Sequence, residues 1–252
     1  MFSQIFNAAL YQPIFNIFVA LYNFIPGHDV GLVIIAMTVL IRVLVYPLTN
    51  AAIKAQKSLQ ELQPKMDEIK KQYAGDQQKQ SQALMELYKN NKVNPFASCL
   101  PLIIQLPILI ALYMVLRDGL ASHNLTEQLY SFVASPGVIN PISFGHFNML
   151  KANWTLAVMA GAAQYWQARM TVSQRPPANA GTGSKDESMM AMMNKQMTYM
   201  MPAMTVLIGL SLPSGLTLYW FVSTVLMGAQ QVWLFRKNKP SSKNIIEGEV
   251  VK

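Results

Sequence analysis

The chain has 252 residues, 52% hydrophobic and only 13% charged, whereas an ordinary soluble domain carries about a quarter charged. So much apolar surface excludes an ordinary soluble enzyme, and a single cysteine, Cys99, excludes an internal disulfide framework. The formal charge of +8, from 20 Lys+Arg against 12 Asp+Glu, poses the question of whether the cations gather on one side of a membrane.

Residues 1–27 are apolar and uncharged, with Pro13 breaking them and Gln4, Asn7, Gln12, Asn16 and Asn23 scattered through. They lack the basic start and small-residue cleavage site of a secretory signal, so the segment is expected to stay in the mature protein. Its pattern suits an amphipathic helix lying on the membrane surface, closed by the turn Ile25-Pro26-Gly27-His28-Asp29. A sixth span is the alternative. It would move the N-terminus to the other side and change nothing downstream.

A bilayer-spanning helix needs about 20 mostly apolar residues. Residues 28–48, 96–116, 197–212 and 213–235 meet or approach that, and 153–169 is a weaker fifth, interrupted by Gln164 and Gln167. The fifth is required by charge. With five spans, residues 49–95, 170–196 and 236–252 share one side, and seventeen Lys and Arg fall there or at its edge, against Arg117 and Lys151 opposite. The positive-inside rule then puts the N-terminus outside and the C-terminus in the cytoplasm. Residues 117–152 become an external loop, 170–196 a cytoplasmic loop and 236–252 a cytoplasmic tail.

Between the first two spans, Ala52, Ala55, Leu59, Leu62, Met66, Ile69 and Tyr73 recur at spacings of three and four, the seam of a packed helix. Pro64 should kink it. Gly75 supplies a stop and Asp76 a new N-cap, so residues 49–95 are expected to form a cytoplasmic helical hairpin ending at Asn94-Pro95. The fold class is all-α: a polytopic membrane protein with five core transmembrane helices, an N-terminal surface helix and this hairpin.

Arg42 is the most informative residue. A guanidinium at the bilayer centre costs at least ~2.5–3.5 kcal/mol on insertion scales, and no acidic residue occurs in the apolar stretch of any span, which in the first runs from Val30 to Leu48, to pair with it. It lies about six residues, or ~9 Å, from the end of its span. Thr38 shares its helical face, which suits a wet cavity; snorkelling to the inner headgroups is the plainer reading. Gln105, on one face with Ser98, and Thr217, Trp220, Thr224 and Gln231 of the last span are further candidates to line such a cavity. Each is equally explained by interhelical hydrogen bonding. Of seventeen methionines, eight lie between 189 and 204. Thioethers suit a surface for varied apolar partners, but gap-filling at a helix entry is the simpler account. Cys99 has no neighbouring cation to activate it. Phosphate-loop, dinucleotide, zinc-protease and nucleophile-elbow motifs are all missing. His28, His123 and His146 do not have metal spacing, and the cations do not form a nucleic-acid module. No cofactor, metal or catalytic residue is expected.

The stretch Thr38-Val39-Leu40-Ile41-Arg42-Val43-Leu44-Val45-Tyr46-Pro47-Leu48-Thr49 resembles the first core span of the YidC/Oxa family of membrane protein insertases. Leu62-Gln63-Pro64-Lys65, Leu87-Tyr88-Lys89 with Val93-Asn94-Pro95, Cys99-Leu100-Pro101-Leu102-Ile103-Ile104-Gln105-Leu106-Pro107-Ile108, Gly215-Leu216-Thr217-Leu218-Tyr219-Trp220 and Gln230-Gln231 follow in the family's order. The resemblance covers about residues 30 to 235. It implies five core spans around a hydrophilic groove closed to the outside, with Arg42 inside and client contact along the first and last spans, at Thr38 and Trp220. Thr224 departs from the pattern, since many relatives have Asn there. The large external domain of Gram-negative relatives and the lipoprotein signal of Gram-positive ones do not occur in this sequence, and the tail is only mildly basic. The expected function is insertion of nascent membrane proteins through a groove lined by Arg42, Thr38, Gln105, Gln164, Thr217, Trp220 and Thr224. The bilayer is one partner, and a ribosome and a Sec-type translocon are candidate others. A small channel or transporter using Arg42 as its coupling charge is the alternative, disfavoured by the odd span count and the lack of an inverted repeat or intramembrane acid.

Overall fold

A computed structural model describes residues 2–94, 100–121, 128–171 and 196–237. The expectations for Cys99, the 172–195 part of the cytoplasmic loop with its first methionines, and the tail beyond 237 lie outside the described residues. The helices are α1 (Phe2–Phe6), a π-helical turn (Asn7–Tyr11), α2 (Gln12–Phe24), α3 (Val30–Leu44), α4 (Tyr46–Gln72), α5 (Gln77–Asn90), α6 (Leu100–Ala121), α7 (Trp154–Thr171), a second π turn (Gln196–Met200), α8 (Met201–Gly209) and α9 (Ser214–Lys237). The strands among the described residues are the antiparallel pair β1 (Ile142–Ser143) and β2 (Phe147–Asn148), with Ile142 opposite Asn148 and Ser143 opposite Phe147. The chain is thus an all-α membrane protein. By length and apolarity, Ser3–Phe24 and Ile103–Leu120 each qualify to cross a membrane, and α3 with α4 qualifies as a pair bent by 67°.

One end of the bundle is organised by residues 128–153. Asp29 caps α3 by accepting from the backbone N–H of Gly31 and Leu32, while its other oxygen accepts from Phe144 N at 2.6 Å. Gly31 N also donates to Ser143 Oγ at 2.8 Å, and a Cβ at Gly31 would sit 2.5 Å from the Phe144 ring, so glycine is needed for this approach. Asn153 caps α7 through Thr155 N and Leu156 N. Ser214 N and Gly215 N donate to Lys151 O and Met149 O, fixing the start of α9 at the same level.

α2 is held at this end along its whole length. Tyr11 donates to Asp118 at 3.0 Å, Asn16 to Gln128 O at 3.0 Å and Asn23 to Ala134 O at 2.7 Å, while Asn140 N donates to Tyr22 Oη. Residues 11 to 23 cover about 18 Å of helix. α2 is thus tied to α6 and to residues 128–140, with its own Phe15, Phe18 and Val19 fully buried. Pro13 does not break the helical run, because the π-helical turn Asn7–Tyr11, closed by Gln12 N–H on Asn7 O, comes directly before it and adjusts the backbone where the proline has no N–H to give.

At the other end, α3 stops at Leu44 and the chain bends by 67° into α4, four residues before the boundary read from hydropathy. Pro47 explains this: it has no N–H to give and its ring clashes with the carbonyl four residues back. α4 then continues as one helix through Pro64 to a turn at Gly75, whose φ is +96°. Asp76 caps α5 by accepting from Lys79 N. Leu62 and Met66 are buried in the hairpin seam, and Tyr88 Oη approaches Met66 Sδ at 3.7 Å.

α7 packs between α8 and α9 on small residues. A Cβ at Gly161 would meet the Val206 side chain and, at 3.2 Å, the Pro202 carbonyl; a Cβ at Gly209 would meet Ala157 at 3.0 Å; Trp166 lies over Gly228. α9 is inverted relative to a soluble helix. Thr217, Ser223, Thr224 and Gln231 are buried while Trp233 is half exposed, which explains why its hydropathy falls below that of α6.

Candidate functional site

Arg42 stands in the last turn of α3, where the exposed carbonyl ends of the helix favour a cation. It is only half-buried. Its Nε donates to Ser223 Oγ at 3.0 Å, and one terminal nitrogen donates to the same oxygen at 2.5 Å and to Gln105 Oε1 at 3.4 Å. Gln105 in turn donates through Nε2 to Tyr219 Oη at 2.5 Å. The amide of Gln105 is thereby oriented with its oxygen toward the guanidinium. α3, α6 and α9 each contribute to one polar cluster, in which the cation is met by uncharged oxygens.

The ion pairs among the described residues are Lys57 with Glu61, Lys79 with Asp76, and Arg117 with Asp118. None involves Arg42. A guanidinium has five N–H donors and no acceptor, so this arrangement holds the group in place yet leaves its charge unneutralised. Chemically it can attract a carboxylate or hydrate a cavity. No group of three or more potential metal ligands occurs among the described residues.

The sequence of the 60Kd inner membrane protein family matches residues 20–242 of the chain. The chain belongs to that family. Among its relatives, the membrane protein insertase YidC of Fusobacterium nucleatum is 34% identical over 207 residues, which are 82% of this chain and 86% of the relative. Proteins of the same name from Syntrophobacter fumaroxidans and an Anaeromyxobacter species are 34% and 35% identical over 83% and 82% of the chain. The match spans 35% and 33% of those two longer proteins.

Within this family member the sequence-derived candidates separate. Arg42 and Gln105 come together. Thr38 is fully buried and turns its hydroxyl onto Ile34 O of its own helix at 2.6 Å. Thr217 is buried and donates to Gly209 O and Pro213 O, tying α8 to α9. Gln164 and Trp220 are half-buried and Thr224 is buried, and none of them hydrogen-bonds to Arg42 among the described residues. Ser223 and Tyr219 were not among the site candidates. Tyr219 lay inside a quoted motif, and Ser223 follows it by one helical turn; counting neutral oxygens at that spacing, in place of a missing acid, would have found the pair.

Proposed function

We propose that this chain is a membrane protein insertase, acting on nascent membrane proteins through a hydrophilic groove in which Arg42 is the attracting charge. The observation that carries the proposal is the Arg42 guanidinium held by Ser223 and Gln105, with no ion pair to a carboxylate among the described residues. The family relationship supports it, since relatives bear the name membrane protein insertase. No covalent step is required. A wet half-groove shortens the apolar distance that a polar client flank must cross, and the client's own hydrophobic segment supplies the driving force by leaving water for lipid. Arg42, Gln105, Ser223 and Tyr219 form the centre of this groove, and the half-buried Gln164 and Trp220 contribute to its walls, whereas the buried hydroxyls of Thr38 and Thr217 bond to backbone carbonyls instead. In this reading the N-terminus is outside, the C-terminus is cytoplasmic, and the lysine-bearing hairpin meets a ribosome or a Sec-type translocon.

The test is insertion of a single-span reporter into vesicles containing wild type, Arg42→Lys or Arg42→Leu, each reporter having an acidic or a neutralised translocated tail. Arg42→Leu should lose the acidic-tail reporter and keep more of the neutral one. Arg42→Lys should retain part of the activity, because the point charge survives without the planar fork. Equal insertion of both reporters by wild type and Arg42→Leu would return Arg42 to a snorkelling role.

A further inference from the structure

The most exposed large hydrophobic side chains among the described residues are Phe24 at 83%, Phe132 at 82% and Val138 at 69%, and the fold brings all three to one place, around the C-terminal end of α2. Asn23, next to Phe24, donates to Ala134 O at 2.7 Å, and Asn140 N donates to Tyr22 Oη at 3.2 Å. One helical stretch earlier, Asn16 donates to Gln128 O and accepts from Tyr130 N at 2.7 Å. Residues 128–140 therefore run along the polar side of α2 and make the hydrogen bonds that water would otherwise supply. A second side of α2 is buried in the core through Phe15, Phe18 and Val19. On the flank left open, Pro13, Ile17, Ala20 and Phe24 recur at helical spacing, and every one is apolar. Phe132 and Val138 are carried on turns beside that flank: Val133 N closes one turn on Tyr130 O, and Val138 follows Gly137, whose φ is +73°.

We infer that residues 128–140 form a lipid-binding loop, seated in the bilayer interface beside α2 with Phe132, Val138 and Phe24 as its wedge. Charge selects this occupant. Residues 1–28 and 128–150 contain no Asp, Glu, Lys or Arg, whereas the surface that meets a folded protein partner sets an apolar centre in a polar rim and is enriched in Arg. Aromatic rings gather where headgroups meet acyl chains, and apolar tips carried on turns enter lipid without a complementary pocket. The open flank of α2 continues the same surface, so wedge and helix face one apolar medium. Left in water, the three side chains and this flank would form the kind of exposed patch that marks a contact surface. The leaflet is the outer one in the orientation proposed above. The ligand is the bilayer itself, and the inference holds whether or not the chain is an insertase.

The test places a nitroxide on Phe24→Cys, Phe132→Cys or Val138→Cys, one at a time in a Cys99→Ala chain, with Ser131→Cys as the reference on the neighbouring exposed polar position. The full chain is reconstituted in phosphatidylcholine vesicles, and spin relaxation is measured with oxygen, which concentrates in lipid, and with a water-soluble nickel chelate. Labels at 24, 132 and 138 should be more accessible to oxygen than to nickel, and the label at 131 more accessible to nickel. Greater access to nickel at 132 or at 138 would overturn the inference, because the tips then stand in water. Shielding of both positions from oxygen and nickel alike would also overturn it, because a protein surface, such as a second copy of this chain, then covers them. Far-UV circular dichroism checks that each labelled chain keeps the wild-type helix content. Where one does not, the wild-type chain is photolabelled from a diazirine-bearing phosphatidylcholine and decides in its place: adducts within residues 128–140 support the loop, and none there overturns it.

Discussion

Ser223→Ala is the sharpest perturbation of the Arg42 cluster, because one hydroxyl oxygen accepts two of the three hydrogen bonds made by the guanidinium. The remaining bond, to Gln105, is the longest at 3.4 Å. Hydrogen bonds to charged groups contribute about 1.5–3 kcal/mol each. The two share one acceptor and the side chain is half-buried, so we take that range for the pair together. The variant should therefore be destabilised by about 1.5–3 kcal/mol, which for a chain of this size corresponds to a melting temperature lower by roughly 3–12 °C. Ser223→Thr keeps the hydroxyl and should recover most of the loss. The assay is thermal unfolding in detergent or nanodiscs, with far-UV circular dichroism confirming that helix content is kept at low temperature. If Ser223→Ala melts with wild type, or if Ser223→Thr is no better than Ser223→Ala, Ser223 does not hold the charge.

A cysteine replacing Lys71 in α4 should react only with a probe on the cytoplasmic side and one replacing Ser131 only from outside; labelling of both from one side would refute the topology. Gly161→Leu should destabilise the α7–α8 contact by about 1–3 kcal/mol, because its side chain must displace Val206 and the Pro202 backbone; an unchanged melting curve would show that these helices do not depend on close approach. The Asp76 carboxylate is held below its ordinary value of 3.8 by the Lys79 backbone N–H and ammonium. A depressed carboxylate stabilises above its unfolded value and is lost as pH falls through the folded one, so hydrogen-exchange protection at the start of α5 should be constant from neutral pH to about pH 4 and fall below it, and Asp76→Asn should abolish that dependence.

Much of this architecture is legible in the chain because the bilayer imposes simple rules. Apolar length marks α6, and the Gly75-Asp76 pair marks the hairpin turn through a left-handed stop followed by an N-cap. The bend after α3 was less legible. Residues 45–48 are apolar enough to extend the span, and only Pro47 records that the backbone cannot continue straight. The site was legible in composition and not in rotation. Thr217, Trp220, Thr224 and Gln231 recur at helical spacing, yet the face turned to Arg42 is that of Tyr219 and Ser223, about one residue, or 100°, around the helix. A pattern of polar residues says which helix lines a cavity; the packing of α7 against Gly228 and of α8 against Thr217 sets which way the helix is turned.

That rotation bears on why neutral oxygens surround the arginine. An aspartate at position 223 would form a bidentate pair with Arg42, and at low effective dielectric such a pair attracts far more strongly than in water. A client carboxylate would then have to displace a resident one, exchanging one ion pair for another with no net gain. Ser223 and Gln105 satisfy the directional needs of the guanidinium without cancelling its charge, so an arriving acidic group would gain the whole electrostatic interaction. The arrangement carries a standing cost, an uncompensated cation in an apolar bundle, and half-burial together with the C-terminal end of α3 reduces it. On the proposed insertase reading, attraction without neutralisation suits a transient binding surface, because a client held by a fully compensated ion pair would not move on into lipid.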